Sequence, residues 1–141
     1  MIKNLNILLV EDDDVAAEAV VRSLSKVAPN IPIVLATHGK EALDILRADE
    51  EYSPLKRPLI ILLDLNMPVM NGLEFLEVVR TSSDLKDLVI FVLTTSDSET
   101  DRTQAYYHNV AGYMVKSAVG PQFSKLASLL LSYQTAVEMT P

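Results

Sequence analysis

A chain of 141 residues has single-domain length and can bury roughly two-thirds of its unfolded surface. Its net charge of −7 argues against nucleic acid or an anionic membrane as a partner, since both require a basic face. Without cysteine there is no disulfide framework, zinc–thiolate site or thiol nucleophile, and no run approaches membrane-spanning length, so a soluble cytoplasmic protein is expected.

Asn6 to Val10 is a short aliphatic run that ends in acid, Glu11-Asp12-Asp13-Asp14. Carboxylates stabilise a helix N-terminus, which suits Asp13 or Asp14, but four adjacent acids repel one another and capping does not account for them all. Ala16, Val20, Leu24 and Val27 keep helical spacing until Ala28-Pro29-Asn30 stops the helix. Ile31 to Ala36 reads as a strand, assigned to a sheet edge by Pro32. His38-Gly39 turns into a helix from about Lys40 to Ala48, with Ala42, Leu43 and Leu46 inward. A proline-punctuated loop, 52–58, leads to Leu59-Ile60-Ile61-Leu62-Leu63, a run apolar enough to be buried on both faces of a parallel sheet. It stops abruptly at Asp64, followed by Leu65-Asn66-Met67-Pro68. Asn71-Gly72 opens a helix presenting Leu73, Leu76 and Val79. Leu88 to Leu93 is a fourth strand, and the hydroxyl-rich stretch Thr94 to Ser98 caps a mostly polar helix reaching about Asn109, with Ala105, Tyr106 and Tyr107 to bury. Val110 to Val115 is the fifth strand, closing at Lys116-Ser117. The last helix is predicted to start near Pro121 and to run to about Glu138.

Five repeats of strand then helix imply an α/β fold, a parallel sheet with helices on both faces, in one domain spanning 1–141 with no linker or output module. Glu11/Asp12, Asp64, Thr94 and Lys116 then fall at the carboxyl ends of four strands, which share one rim. Singly, each has a plain explanation: an acid after a strand is usually a cap, and a lysine there is usually solvated. Three carboxylates on one edge, however, are mutually destabilising unless a cation neutralises them. With no imidazole or thiolate among them, the oxygen donors select a hard ion, Mg²⁺ for preference. A hydroxyl and an ammonium facing that ion suit phosphoryl oxygens, which leaves Asp64 free to act as a nucleophile and form an acyl phosphate.

Ile7-Leu8-Leu9-Val10-Glu11-Asp12, Leu62-Leu63-Asp64-Leu65-Asn66-Met67-Pro68, Asn71-Gly72, Val92-Leu93-Thr94-Thr95 and Gly112-Tyr113-Met114-Val115-Lys116 together resemble the receiver domain of bacterial two-component response regulators, over essentially the whole chain. The resemblance implies a doubly wound, flavodoxin-like sheet of order 2-1-3-4-5, and a histidine kinase as phosphoryl donor. By the same resemblance Asp64 is the phospho-acceptor, Asp12 a direct Mg²⁺ ligand, Glu11 a ligand through water, and Asn66 a ligand through its carbonyl. Thr94 and Lys116 hold phosphoryl oxygens, and Tyr113 swings inward as Thr94 moves; Asp13 stays a helix cap. Ser117 stands where the family has a proline, typically in cis, and a cis bond before serine costs about 3 kcal/mol more than before proline. The Lys-Ser and Thr-Thr pairs and the loop before the third strand are similar to single-domain regulators paired with bacterial phytochrome kinases.

Two other classes compete with this reading. A phosphatase of the haloacid dehalogenase type also uses a strand-end aspartate and Mg²⁺, but it needs a second aspartate where Asn66 stands, as do acidic nuclease or primase sites. A degenerate receiver serving only as a scaffold would not need the intact Asp64, Thr94 and Lys116. A dinucleotide oxidoreductase lacks its Gly-rich turn after the first strand. The expectation is therefore a signalling phospho-acceptor whose only catalysis is its own phosphotransfer and dephosphorylation. The final helix adds a homodimer. Val119, Phe123, Leu126, Leu130, Tyr133 and Val137 make a core-facing stripe, whereas Ala127, Leu129, Leu131 and Ala136 lie off it. The second set predicts an interface on the fourth-helix, fifth-strand, fifth-helix face.

Overall fold

The computed structural model describes residues 5–48, 55–118 and 123–139. Strands β1 (Asn6–Val10), β2 (Ile33–Ala36), β3 (Leu59–Leu63), β4 (Val89–Thr94) and β5 (Gly112–Val115) alternate with helices α1 (Asp14–Val27), α2 (Gly39–Leu46), α3 (Gly72–Thr81), α4 (Glu99–Tyr107) and α5 (Ser124–Ala136). All the strands are parallel, in the order β2-β1-β3-β4-β5 expected of the resemblance, with β2 and its preceding Pro32 at an edge.

The period of two along each strand divides the core into two layers. Ile7, Leu9, Ile60, Leu62, Phe91 and Leu93 face α1 and α5, where they meet Val20, Leu24, Leu126 and Leu130. Leu8, Val10, Ile61, Leu63, Ile90 and Val92 face the other layer, with Leu43, Phe75, Leu76, Val79 and Ala105. Every residue of β3 is buried, which is why its sequence is unbroken Leu and Ile. Each such side chain contributes roughly 1.5–3 kcal/mol of burial.

Local signals set the helix starts. Asp13 caps α1, accepting from the amides of Val15 and Ala16, and Ser98 caps α4. Asn71 and Glu74 form a reciprocal capping box on α3. His38, not assigned a role from sequence, caps α2 through Nδ1, which accepts from Glu41 N at 3.1 Å. Arg80 at the end of α3 was also invisible in the pattern. Its guanidinium donates to the carbonyls of Lys86 and Leu88 (2.8 Å each), His108 (2.7 Å) and Asn109 (3.1 Å), tying two turns to one helix end.

Several packing expectations need correction. In α1 the buried residues are Ala17, Val20, Ser23 and Leu24, whereas Ala16 is half-buried and Val27 exposed. In α4 only Ala105 is buried; Tyr106 and Tyr107 stand 48 % and 81 % exposed, because the helix touches the sheet along one narrow line. In α5 Ala127 is buried beside Leu126 and Leu130, so it belongs to the core stripe, while Leu129 and Leu131 are each 38 % exposed. That helix ends at Ala136, short of Glu138; Val119 and Pro121, named for its start, lie outside the described residues. No helix among the described residues is long and apolar enough to cross a membrane.

Candidate phosphoryl-acceptor site

Sheet register brings the acids together. Val10 pairs with Leu63, so the residues that follow, Glu11 and Asp64, emerge side by side, and Asp64 N donates to Val10 O at 3.0 Å. Glu11, Asp12 and Asp64 each offer a carboxylate oxygen within 4.8 Å of the others. Thr94 and Lys116 arrive on the same rim, because Thr94 pairs with Val115 at the ends of β4 and β5. Lys116 then opens a single 3-10 turn, Lys116–Ala118. The cis peptide bond found among the described residues precedes Pro58, so the Lys116–Ser117 bond is trans.

Asp64 and Glu11 are buried and Thr94 is fully so, while Asp12 is exposed at the mouth. Lys116 Nζ donates to Glu11 Oε1 and lies 3.4 Å from Asp64 Oδ2. Asp64 Oδ1 accepts from the Asn66 amide at 3.2 Å, and the Thr94 side chain, fully buried at the end of β4, acts with it to lower the Asp64 pKa. Burial pushes the Glu11 carboxyl up to about 8, and its hydrogen bond to Asp64 adds to the rise against the pull of Lys116. Burial acts to raise Asp64 as well. The Glu11 proton, the Lys116 charge, the Thr94 hydroxyl and the Asn66 amide outweigh it and hold Asp64 below the usual carboxylate range. Burial likewise acts against the Lys116 charge, yet the two acids raise its pKa and keep it an ammonium.

One atom tests whether a cation fits. Glu11 Oε2 is buried with no donor facing it among the described residues, beside an ionised carboxylate. Such an oxygen is stable only with a proton on it or a cation against it. Three clustered oxygen donors without nitrogen or sulfur match a hard divalent ion. Asp64 N–H is used by the fold, and Gly72 lets α3 begin close behind the site. A Cβ there would fall 2.5 Å from Asp64 O and 2.7 Å from Leu65 Cα, so only glycine lets the helix start against the acceptor strand.

The six residues expected from sequence to hold the metal and the phosphoryl group, Glu11, Asp12, Asp64, Asn66, Thr94 and Lys116, share this rim. Tyr113 lies on β5 opposite Val92, two positions back from the rim pair Thr94–Val115, half-buried, with its hydroxyl donating to Ser96 O at 2.9 Å. One feature escaped the sequence reading. The Lys116–Glu11 pair joins residues 105 apart, which no local spacing reveals. The capping of α3 was legible, since Asn71 and Glu74 carry the N-cap/N3 spacing.

A doubly wound parallel sheet with acids, a hydroxyl and a lysine at its switch-point rim is the build of a two-component signalling receiver. The chain belongs to the response regulator receiver domain family, whose model matches residues 7–127. Among its curated relatives is response regulator Rcp1 of Synechocystis sp., 36% identical over 111 residues, which cover 79% of this chain and 76% of Rcp1. Among solved structures, the phosphorylated cyanobacterial phytochrome response regulator RcpA superposes with a TM-score of 0.84 at 30% identity, covering 96% of this chain and 98% of RcpA. The Mn²⁺-bound form of Rcp1 gives 0.82 at 31% identity, covering 96% and 99%. This receiver is accordingly a phosphorelay component of the kind served by histidine kinases.

Proposed function

We propose that Asp64 is the phospho-acceptor and that Mg²⁺ is held by Glu11, Asp12, Asp64 and the Asn66 carbonyl. The observation that carries this reading is the Asp64 carboxylate itself. It is buried, kept ionised by four neighbours and grouped with two further carboxylates at one rim. A bound Mg²⁺ would supply positive charge against the phosphoryl oxygens. One Asp64 oxygen attacks the phosphorus of a phosphohistidine. A P–O bond forms, the P–N bond breaks and the imidazole leaves with a proton from solvent. Lys116 balances the added negative charge, and the Thr94 hydroxyl turns from carboxylate to phosphoryl oxygen. The similarity to Rcp1 and RcpA supports a bacterial phytochrome kinase as donor, and the exposed Leu129 and Leu131 support a homodimer on the α4–β5–α5 face.

Acetyl phosphate with Mg²⁺ should add one acid-labile, hydroxylamine-sensitive phosphate, abolished in Asp64→Asn. Mapping of the label to another residue would overturn the assignment. Asp12→Ala should weaken both Mg²⁺ binding and phosphorylation by roughly tenfold or more while leaving the melting temperature of the metal-free protein unchanged.

A further inference from the structure

The loop between β4 and α4 is cross-linked far more densely than a surface turn requires. Thr94 Oγ1 accepts from Ser96 N at 3.3 Å, and Ser96 Oγ donates to Asp101 Oδ2 at 2.6 Å. Asp101 N in turn donates to Ser98 Oγ, the α4 cap, at 3.3 Å. Ser96 O receives the Tyr113 hydroxyl. The next residue of the helix after Asp101 closes the circuit. Arg102 donates to Asp97 Oδ1 at 2.9 Å and to Asp97 O at 3.4 Å, and its guanidinium carbon lies 5.8 Å from the centre of the Tyr113 ring, within cation–π range. Asp101 and Arg102, adjacent in α4, thus hold the loop from two sides: one through Ser96, the other through Asp97 and the tyrosine ring.

This arrangement has a direction. Tyr113 is docked against the loop in the same structure in which Thr94 stands buried at the end of β4 on the acceptor rim, and Ser96 touches both residues. A group that stabilises the docked ring therefore also favours the loop position that offers Thr94 to the acceptor. Arg102 is that group on the solvent side, and its Asp97 ion pair aims it at the ring.

We propose that Arg102 is a positioning residue for the phosphoryl switch, clasping Tyr113 against the β4–α4 loop and so coupling α4 to the occupancy of Asp64. The clasp rests on the acceptor reading above, and it assigns the coupling to a side chain outside the site. Linkage makes the coupling reciprocal: the factor by which the clasp strengthens phosphoryl binding is the factor by which a bound phosphoryl group strengthens the clasp.

The test is a double-mutant cycle with beryllofluoride and Mg²⁺ as the phosphoryl analogue, its affinity measured by calorimetry. Arg102→Ala should weaken the analogue about threefold, the scale of an exposed cation–π contact, with Arg102→Lys falling between it and wild type. In a Tyr113→Leu background, Arg102→Ala should have no further effect. In 3-fluorotyrosine-labelled, ligand-free protein the Tyr113 ¹⁹F resonance should shift in Arg102→Ala and partly return in Arg102→Lys. Equal losses in both backgrounds, or an unmoved Tyr113 resonance, would overturn the clasp. If wild type binds no beryllofluoride, it is the acceptor assignment that fails, and the ligand-free resonance still decides the clasp.

Discussion

At the scale of single residues, Glu11 carries the clearest physical signature. Its proton is lost near 4.5 in an ordinary glutamate but near 8 in the folded chain. The stability associated with the neutral acid is therefore complete below about 4.5 and lost as pH rises through about 8. Asp64, held low, works in the opposite sense: it adds stability above the ordinary aspartate range and loses it in acid. In EDTA the melting temperature should decline from about pH 5.5 to about pH 8.5, and Glu11→Gln should flatten that decline. Mg²⁺ competes with the Glu11 proton, so its stabilising increment should grow over the same range. An increment equal at both ends would refute the competition. Val69 makes a second prediction. It adopts φ 67° with its side chain 74 % exposed, and Met70 N closes a tight turn onto Pro68 O at 2.7 Å. A β-branched residue is strained there and gains little packing, so Val69→Asn should raise stability by about 1 kcal/mol in urea unfolding.

Between elements, Arg80 does what strand pairing and apolar burial do not. It ends α3 by satisfying four carbonyls from two separate turns, one of them at Asn109, whose φ is 57°. Burial lowers its pKa, but a guanidinium stays charged. Arg80→Ala should destabilise by about 2–4 kcal/mol, since charge-assisted bonds are lost and half-buried carbonyls are left without donors. Lysine should restore little, because a single ammonium cannot span the planar fork. Equilibrium unfolding of both variants measures this, and full recovery by lysine would show that charge alone matters. The Arg57–Asp87 bridge, bidentate at 2.8 Å, is more exposed and should contribute under about 1 kcal/mol.

For the molecule as a whole, the question is what covers α5. Leu126, Ala127 and Leu130 dock it on the sheet, and Tyr133 meets Phe91 edge-on at 5.7 Å. Leu129 and Leu131 face outward, and Tyr106 and Tyr107 of α4 are exposed too. A homodimer on the α4–β5–α5 face predicts a two-chain mass in sedimentation. Leu129→Glu/Leu131→Glu should reduce it to a monomer with an unchanged melting temperature. A wild-type protein that stays monomeric at high concentration, phosphorylated or not, would rule the dimer out.

The elements of this receiver were determined by the sequence itself, because strand and helix signals are local. Five apolar runs set the strands, Pro32 marked the edge, and Asp13 and Ser98 announced helix starts by chemistry that reaches only two or three residues. The candidate site was legible for a related reason: in a parallel sheet, residues that end strands must share a rim, so the sequence alone groups Asp64, Glu11, Thr94 and Lys116. What only the tertiary structure decided is which side chains touch. Periodicity assigned Tyr106 and Tyr107 to the core and Ala127 to the surface, and packing reversed all three, since a helix's inward face depends on its tilt against the sheet. Glu11 with Lys116, Arg80 with His108, and Arg102 with Tyr113 are contacts between separate elements. Their partners are set by register and helix placement, and those are properties of the assembled core that no window of sequence contains.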